Sequence, residues 1–232
     1  MLDKVRPPAR RRRTEKATAS TLVYGKLRQD ILKGAFKPGQ KLLIELIAAR
    51  YEVGINPVRE ALNRLSAEAL VDRHDQRGFF VAPISIERWR ELVKTRCWLE
   101  TKALEESIAN RNPVWEERIV LAFHHFSRTP FDPSPGGLAG AAEWELRHRA
   151  FHMALIAACG SSWLLDFCED MMDQAQRYRF ISFSAAHTFR DSVAEHRMIM
   201  DATLDANAPL AVERLTDHYR LTLKVIEDQI LR

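Results

Sequence analysis

The run Asn56-Pro57-Val58-Arg59-Glu60-Ala61-Leu62 constrains this chain more than any other segment. Val58, Ala61, Leu62 and Leu65 recur at the three-and-four spacing of one helix face, which predicts a helix with a single buried stripe. Asn56 reads as its cap and Pro57 as its first residue, where a missing N–H costs nothing. A shorter apolar pattern over Ile44–Tyr51 precedes it across the turn Val53–Ile55, which is helix-turn-helix spacing. Ahead of both, Leu22, Leu27, Ile31 and Leu32 predict a first helix ending at Gly34, followed by turn chemistry in Lys37-Pro38-Gly39-Gln40. Behind them, Leu70-Val71 and Phe79-Phe80-Val81 flank His74-Asp75-Gln76-Arg77-Gly78, the pattern of a hairpin with glycine near its turn. Three helices and a hairpin describe a winged helix-turn-helix.

Charge agrees with that reading. Residues 1–83 hold 17 Lys/Arg against 9 Asp/Glu, while residues 84–232 hold 18 against 22, so a front of +8 stands beside a rear of −4. Excess positive charge attracts a polyanion, and Lys/Arg contacts to phosphates release condensed counterions. Seven of the front cations sit in Lys4–Lys16 without apolar periodicity, which predicts a basic disordered arm over residues 1–18. Cys97, Cys159 and Cys168 share no CxxC spacing and read as buried thiols in a reducing cytoplasm. Neither a signal peptide nor a membrane span is expected.

At 232 residues two compact domains are expected, 19–83 and 84–232. From Ser85 onward no strand pattern survives. Helices are predicted at about 86–111, 113–127, 138–159, 162–183, 188–206 and 208–231, broken at Asn112-Pro113, the loop Pro130–Gly137, Gly160 and Pro209. The fold class is therefore mostly α, a winged helix-turn-helix domain followed by an all-α helical bundle.

A recognition helix presents its N-terminal turn to base edges, and Arg59 sits there with a fork that matches two acceptors of guanine. Asn56 and Asn63 suit adenine or a phosphate, while Arg64, Lys41, His74 and Arg77, with Gly78 in the wing, suit backbone or minor groove. In the rear, His148 and His152 are four apart on a stripe with Trp144, Phe151 and Leu155, the spacing of a two-ligand metal site. His196 is in step with Phe189, Val193 and Met200, and His218 with Leu215, Thr222 and Val225. One buried histidine is more often a hydrogen-bonded core residue than a ligand. Four unpaired imidazoles, however, would be costly to bury, and one divalent ion satisfies them all. His124, His125 and His187 have no such position. Arg96 shares an inward stripe with Leu92, Leu99 and Ala103, so it either clamps a carboxylate or pairs with Glu100. Arg179 is a second candidate cation.

The stretch 22–82 resembles the winged-helix domain of the GntR family of bacterial regulators, in which Pro57-Val58-Arg59-Glu60-Ala61-Leu62, Leu70-Val71 and Arg77-Gly78-x-x-Val81 recur. The chain departs from it at Gly54-Ile55-Asn56, where the family commonly has a hydroxyl residue followed by arginine. The stretch 85–230 resembles the helical FCD effector-binding domain of the FadR branch, carried by Glu143–His152, Gly160, Glu195-His196 and Asp217-His218. The His-x-x-Phe-His arrangement, with Cys159-Gly160-Ser161 and Arg177-Tyr178-Arg179, is similar to the subgroup of carbon-starvation-induced regulators.

The resemblance to the FCD domain implies a metal held by His148, His152, His196 and His218, with His148 standing where many members have aspartate. Exchanging carboxylate for imidazole removes a negative charge and favours Zn²⁺ or Ni²⁺ over Mn²⁺. Open coordination sites on such an ion suit a small organic acid effector near Arg96, Glu100 and Arg179, and one winged helix makes too few base contacts alone, so the expectation is a metabolite-responsive regulator, a repressor, binding a palindromic operator as a homodimer. The rival from another class is a metal-dependent hydrolase with Glu100, Glu195 or Asp217 as base, though catalysis would leave the wing unexplained. A third reading is a constitutive DNA binder stapled by a structural metal.

Overall fold

The computed structural model describes residues 18–130, 138–183 and 191–230. The basic arm through residue 17, the loop from Phe131 to Gly137, and the segment holding His187 and Phe189 lie outside the described residues.

Helix α1 (Ala19–Leu32) begins where the Thr18 hydroxyl accepts from Thr21 N–H, and it buries Val23, Leu27 and Ile31 along one side. A two-residue strand β1 (Lys41–Leu42) follows, then helix α2 (Ile44–Tyr51), which closes on Glu52 in the left-handed region, and helix α3 (Ile55–Ala67). Val58, Ala61, Leu62 and Leu65 are all fully buried against α1, as their spacing predicted. The cap differs from expectation. Gly54 occupies the N-cap of α3 with no side-chain bond, so Asn56 is the second helical residue and Pro57 the third. The helix starts earlier because an extended Gly54 admits Ile55 directly after the turn.

The hairpin forms from β2 (Val71–His74) and β3 (Gly78–Val81), paired antiparallel with Val71 opposite Val81 and His74 opposite Gly78. Gln76 and Gly78 both have positive φ, and at Gly78, with φ +94°, a side chain would be strained. β1 joins the other edge of β3, giving the order β1-β3-β2. Sequence periodicity had no purchase on β1, since two residues carry no period.

The rear comprises α4 (Ile86–Ala109), α5 (Pro113–Arg128), α6 (Leu138–Ile156), α7 (Ser162–Phe183), α8 (Ser192–Leu204) and α9 (Ala208–Ile230). Side-chain oxygens of Ser85, Asn112 and Asp191 cap α4, α5 and α8, and Pro113 sits in the first turn of α5. Apolar faces of all six helices meet around Trp89, Phe126, Phe151, Ile199 and Leu215. Cys159 and Cys168 are buried free thiols and Cys97 is half-buried; burial pushes the Cys168 thiol up to about 12. No helix among the described residues is long and apolar enough to cross a membrane.

The front and rear clusters meet along α7. Arg28 of α1 bridges Glu68 at 3.1 Å and Asp173, Gln174 Nε2 donates to Glu68 O at 2.8 Å, and Arg177 donates to Ala82 O. Arg149 of α6 holds Asp173 as well as Glu169, so one rear helix steadies the carboxylate that the front docks on.

Candidate metal centre and nucleic-acid interface

Three helices each turn imidazoles into one buried point. On α6 the stripe Trp144, His148, Phe151, His152 and Leu155 faces the core, α8 contributes His196 and α9 His218. The structure brings all four histidines together, with one ring nitrogen of each within 4.8 Å of the others. His152 Nε2 lies 3.2 Å from Nε2 of both His148 and His196.

The outer nitrogens reveal how these rings are protonated. His196 Nδ1 sits 2.6 Å from the Ser192 carbonyl oxygen, which only accepts, so Nδ1 carries the proton. His218 Nδ1 lies 3.0 Å from Glu195 Oε2 and donates to it for the same reason. His152 Nδ1 is 3.1 Å from the Tyr219 oxygen, and the Tyr219 hydroxyl gives its proton to Glu100. In each neutral ring a protonated Nδ1 makes Nε2 an acceptor. Acceptor nitrogens 3.2 Å apart repel unless a proton or a cation stands between them. His148 Nδ1 is buried with no hydrogen-bond partner among the described residues, its ring stacked on Trp144. One proton on His148 Nε2 would serve only one neighbour. A divalent cation serves every nitrogen in the cluster, so the donor set fits a metal. Burial, reinforced by the neighbouring imidazoles, holds His148 and His152 well below their ordinary value of 6.5, which keeps both rings in the ligating form.

A charged surround encloses the cluster. Arg96 is buried and donates from Nε to Glu100 Oε1 at 2.7 Å, with its guanidinium 4.2 Å above the Tyr219 ring. Burial alone would lower the Arg96 pKa, but the Glu100 carboxylate reverses that and raises it. Of the two sequence alternatives for Arg96, the ion pair is therefore made. Arg179 forks onto Glu145, with Nε 3.1 Å from Oε2, and Glu145 Oε1 lies 4.0 Å from His148 Nδ1. Both candidate cations thus border the histidine cluster with a carboxylate attached. Tyr219 and Glu145 were not singled out from sequence, and the partners of Tyr219 are 67 and 119 positions away. Of the bases a hydrolase would need, Glu100 is engaged by Arg96 and Tyr219 and Glu195 by His218, while Asp217 is exposed beside Arg220.

At the other end, α3 leaves Ile55, Asn56, Arg59, Glu60, Asn63 and Arg64 exposed. Ile55, Arg59 and Asn63 follow each other at four-residue spacing along one face. Arg64 lies on a different flank, its guanidinium 3.9 Å above the Tyr24 ring of α1. Arg77 is exposed in the wing turn, while Lys41 and His74 flank the Phe80 ring at 5.9 and 5.1 Å. The residues nominated for DNA therefore divide between the α3 face, the wing, and one cation stacked against α1.

Comparison with known proteins accords with both regions. The family described as bacterial regulatory proteins, gntR family, matches residues 19–81, and the FCD domain matches residues 91–221. The chain is 37% identical over 207 residues to the HTH-type transcriptional regulator BphR of Paraburkholderia xenovorans, covering 88% of this chain and 83% of that one. It is 32% identical over 208 residues to the HTH-type transcriptional repressor GlaR of Escherichia coli, covering 88% and 94%. Among solved structures, Escherichia coli McbR/YncC superposes with a TM-score of 0.76 at 18% identity, covering 93% of this chain and 100% of that one, a likeness of fold alone.

The depressed imidazole pKa values make a signed prediction. Below about 6.5 the unfolded chain binds protons that the folded rings refuse, so metal-free stability is full above that pH and is lost as pH falls through the folded values. Urea unfolding of chelator-treated protein should show a midpoint that drops between about pH 7.5 and about pH 5. The drop should shrink in a His148→Gln, His152→Gln double variant; an equal drop in both proteins would contradict the assignment.

Proposed function

The chain belongs to the gntR family of bacterial regulatory proteins, with an FCD domain in its rear, and on that premise we propose that it is a metal-dependent, carboxylate-responsive repressor of transcription. Its family and relatives are transcriptional regulators rather than enzymes. Repression is supported by the 32% identity to a transcriptional repressor. The observation that carries the metal reading is the convergence of four buried imidazoles, three of which already have their outer nitrogens committed as donors.

His148, His152, His196 and His218 hold the ion in this proposal, and four nitrogen donors without a carboxylate favour Zn²⁺ or Ni²⁺. A bound ion would supply a Lewis-acid position that attracts the carboxylate of a small organic acid. Around it Arg179 and Arg96 are each paired with a carboxylate, Glu145 and Glu100, so the positive charge that an entering anion meets is that of the ion itself. Two observations support a route to the DNA-binding domain. Arg179 lies on α7 within two turns of Asp173, Gln174 and Arg177, which hold the front cluster, and α4 begins five residues after the wing ends. A shift of α7 on ligand binding would re-aim α3.

At the DNA, Arg59 is proposed to read guanine from the exposed face of α3, with Asn56 and Asn63 beside it and Arg77, Gly78, His74 and Lys41 bringing the wing and β1 to the backbone. Arg64 contributes more weakly, being stacked on Tyr24. A single winged helix makes few base contacts, so a palindromic operator engaged by a homodimer in the cytoplasm completes the proposal.

Two measurements test it. Arg59→Ala should weaken retardation of a promoter fragment by about 5- to 150-fold, the range of one bidentate base contact, without changing the melting temperature. Operator affinity equal to wild type would remove Arg59 from base reading. In a thermal-shift screen of mono- and dicarboxylates, an effector at a hundred times its Kd should raise Tm by about 5–10 °C. The shift should vanish with chelator and in His152→Ala, and a shift that survives chelation would place the effector away from the metal.

A further inference from the structure

The four imidazoles are backed unequally. His196 donates to a carbonyl oxygen and His218 directly to the Glu195 carboxylate, but His152 is linked to the Glu100 carboxylate through an intermediary. Glu100 cannot donate, so the Tyr219 hydroxyl must spend its proton there, and its oxygen lone pair then faces His152 Nδ1 at 3.1 Å. The second Glu100 oxygen accepts from Arg96 Nε at 2.7 Å, which pins the carboxylate. The polarity of the chain is thereby forced in one direction, from His152 to Tyr219 to Glu100, with Arg96 as counter-charge. All four residues are at most 3% exposed, which shields these bonds from competing water.

We infer that Tyr219 is a positioning residue for the metal centre, relaying the Glu100 carboxylate to His152 so that His152 presents Nε2 as a ligand; the inference rests on the metal reading above. His152 Nε2 lies 3.2 Å from Nε2 of both His148 and His196. A wrong tautomer there would place a proton in the middle of the site. Hydrogen bonding of Nδ1–H to a tyrosine that is itself bonded to a carboxylate also raises the basicity of Nε2, which matters where no first-sphere carboxylate offsets the cation. The relay further assigns Arg96 and Glu100 a joint task on α4, holding α9 and α6 in register, in place of a clamp on the effector.

A purely structural role is the competing account, since a buried tyrosine hydroxyl needs a partner in any case. The full-length protein distinguishes them. Competition with a chromophoric chelator for Zn²⁺ should show Tyr219→Phe binding about 10- to 100-fold more weakly than wild type, with circular dichroism unchanged. Affinity within about threefold of wild type, in a Tyr219→Phe protein that melts at lower temperature, overturns the relay and leaves the metal site standing. His152→Ala binding Zn²⁺ as tightly as wild type overturns the metal reading and the relay together. A second readout needs no variant: in the Co²⁺-loaded wild-type protein with ¹⁵N-labelled histidine, His152 should show a slowly exchanging, hyperfine-shifted Nδ1–H. A His152 whose proton resides on Nε2, or exchanges at the rate of bulk solvent, overturns the proposal.

Discussion

Burying an acceptor nitrogen without a proton or cation to satisfy it costs about 1–3 kcal/mol, and this chain aims several of them at one point between α6, α8 and α9. The rest of the rear domain follows from that constraint. Ser192, Glu195 and Tyr219 hold the outer nitrogens of three rings, which forces the inner ones to be acceptors. Aromatic walls from Trp144, Phe126 and Phe151 keep water from relieving the cost. A cation turns the same arrangement from a liability into a staple across three helices, which is why the metal reading explains more of the packing than a set of independent core histidines does.

The charges around this centre lead outward along two helices. Arg179 on α7 is tied to Glu145 next to His148, and the same helix carries Asp173, Gln174 and Arg177 to the underside of the DNA-binding domain. α4 leaves the wing almost at once and carries Arg96 and Glu100 to Tyr219. Polar bonds tie the seam, an arginine between two carboxylates and two bonds to backbone carbonyls. Polar seams of this kind are where small rearrangements are cheapest, and cheap rearrangement is what the proposed response to a ligand would require.

Much of this was legible in the sequence because helices advertise themselves by period. Val58, Ala61, Leu62 and Leu65, and the His148/His152 pair beside Phe151 and Leu155, each lie on a face that burial confirms. Gly78 marked the wing because a positive φ there excludes most residues. What escaped was short or distant. β1 has two residues and therefore no pattern, and the cap of α3 moved from Asn56 to Gly54 because glycine offers an extended N-cap without any side-chain signal. The partners of Arg96 were left open between neighbour and ligand, and Tyr219 escaped notice, since a hydroxyl's role depends on helices that are far away in the chain. Arg64 reads as an outward cation from spacing alone, and only the position of Tyr24 shows that it lies on α1.

The central claim is that four imidazole nitrogens share one cation. X-ray absorption at the metal edge of the Zn²⁺-loaded protein tests it without reference to DNA or effector. The account predicts a first shell of nitrogen or oxygen scatterers at about 2.0–2.1 Å, with the outer-shell multiple scattering of about four imidazole rings and no sulfur at about 2.3 Å. Two or fewer imidazoles per ion, or a shell containing thiolate, would contradict it.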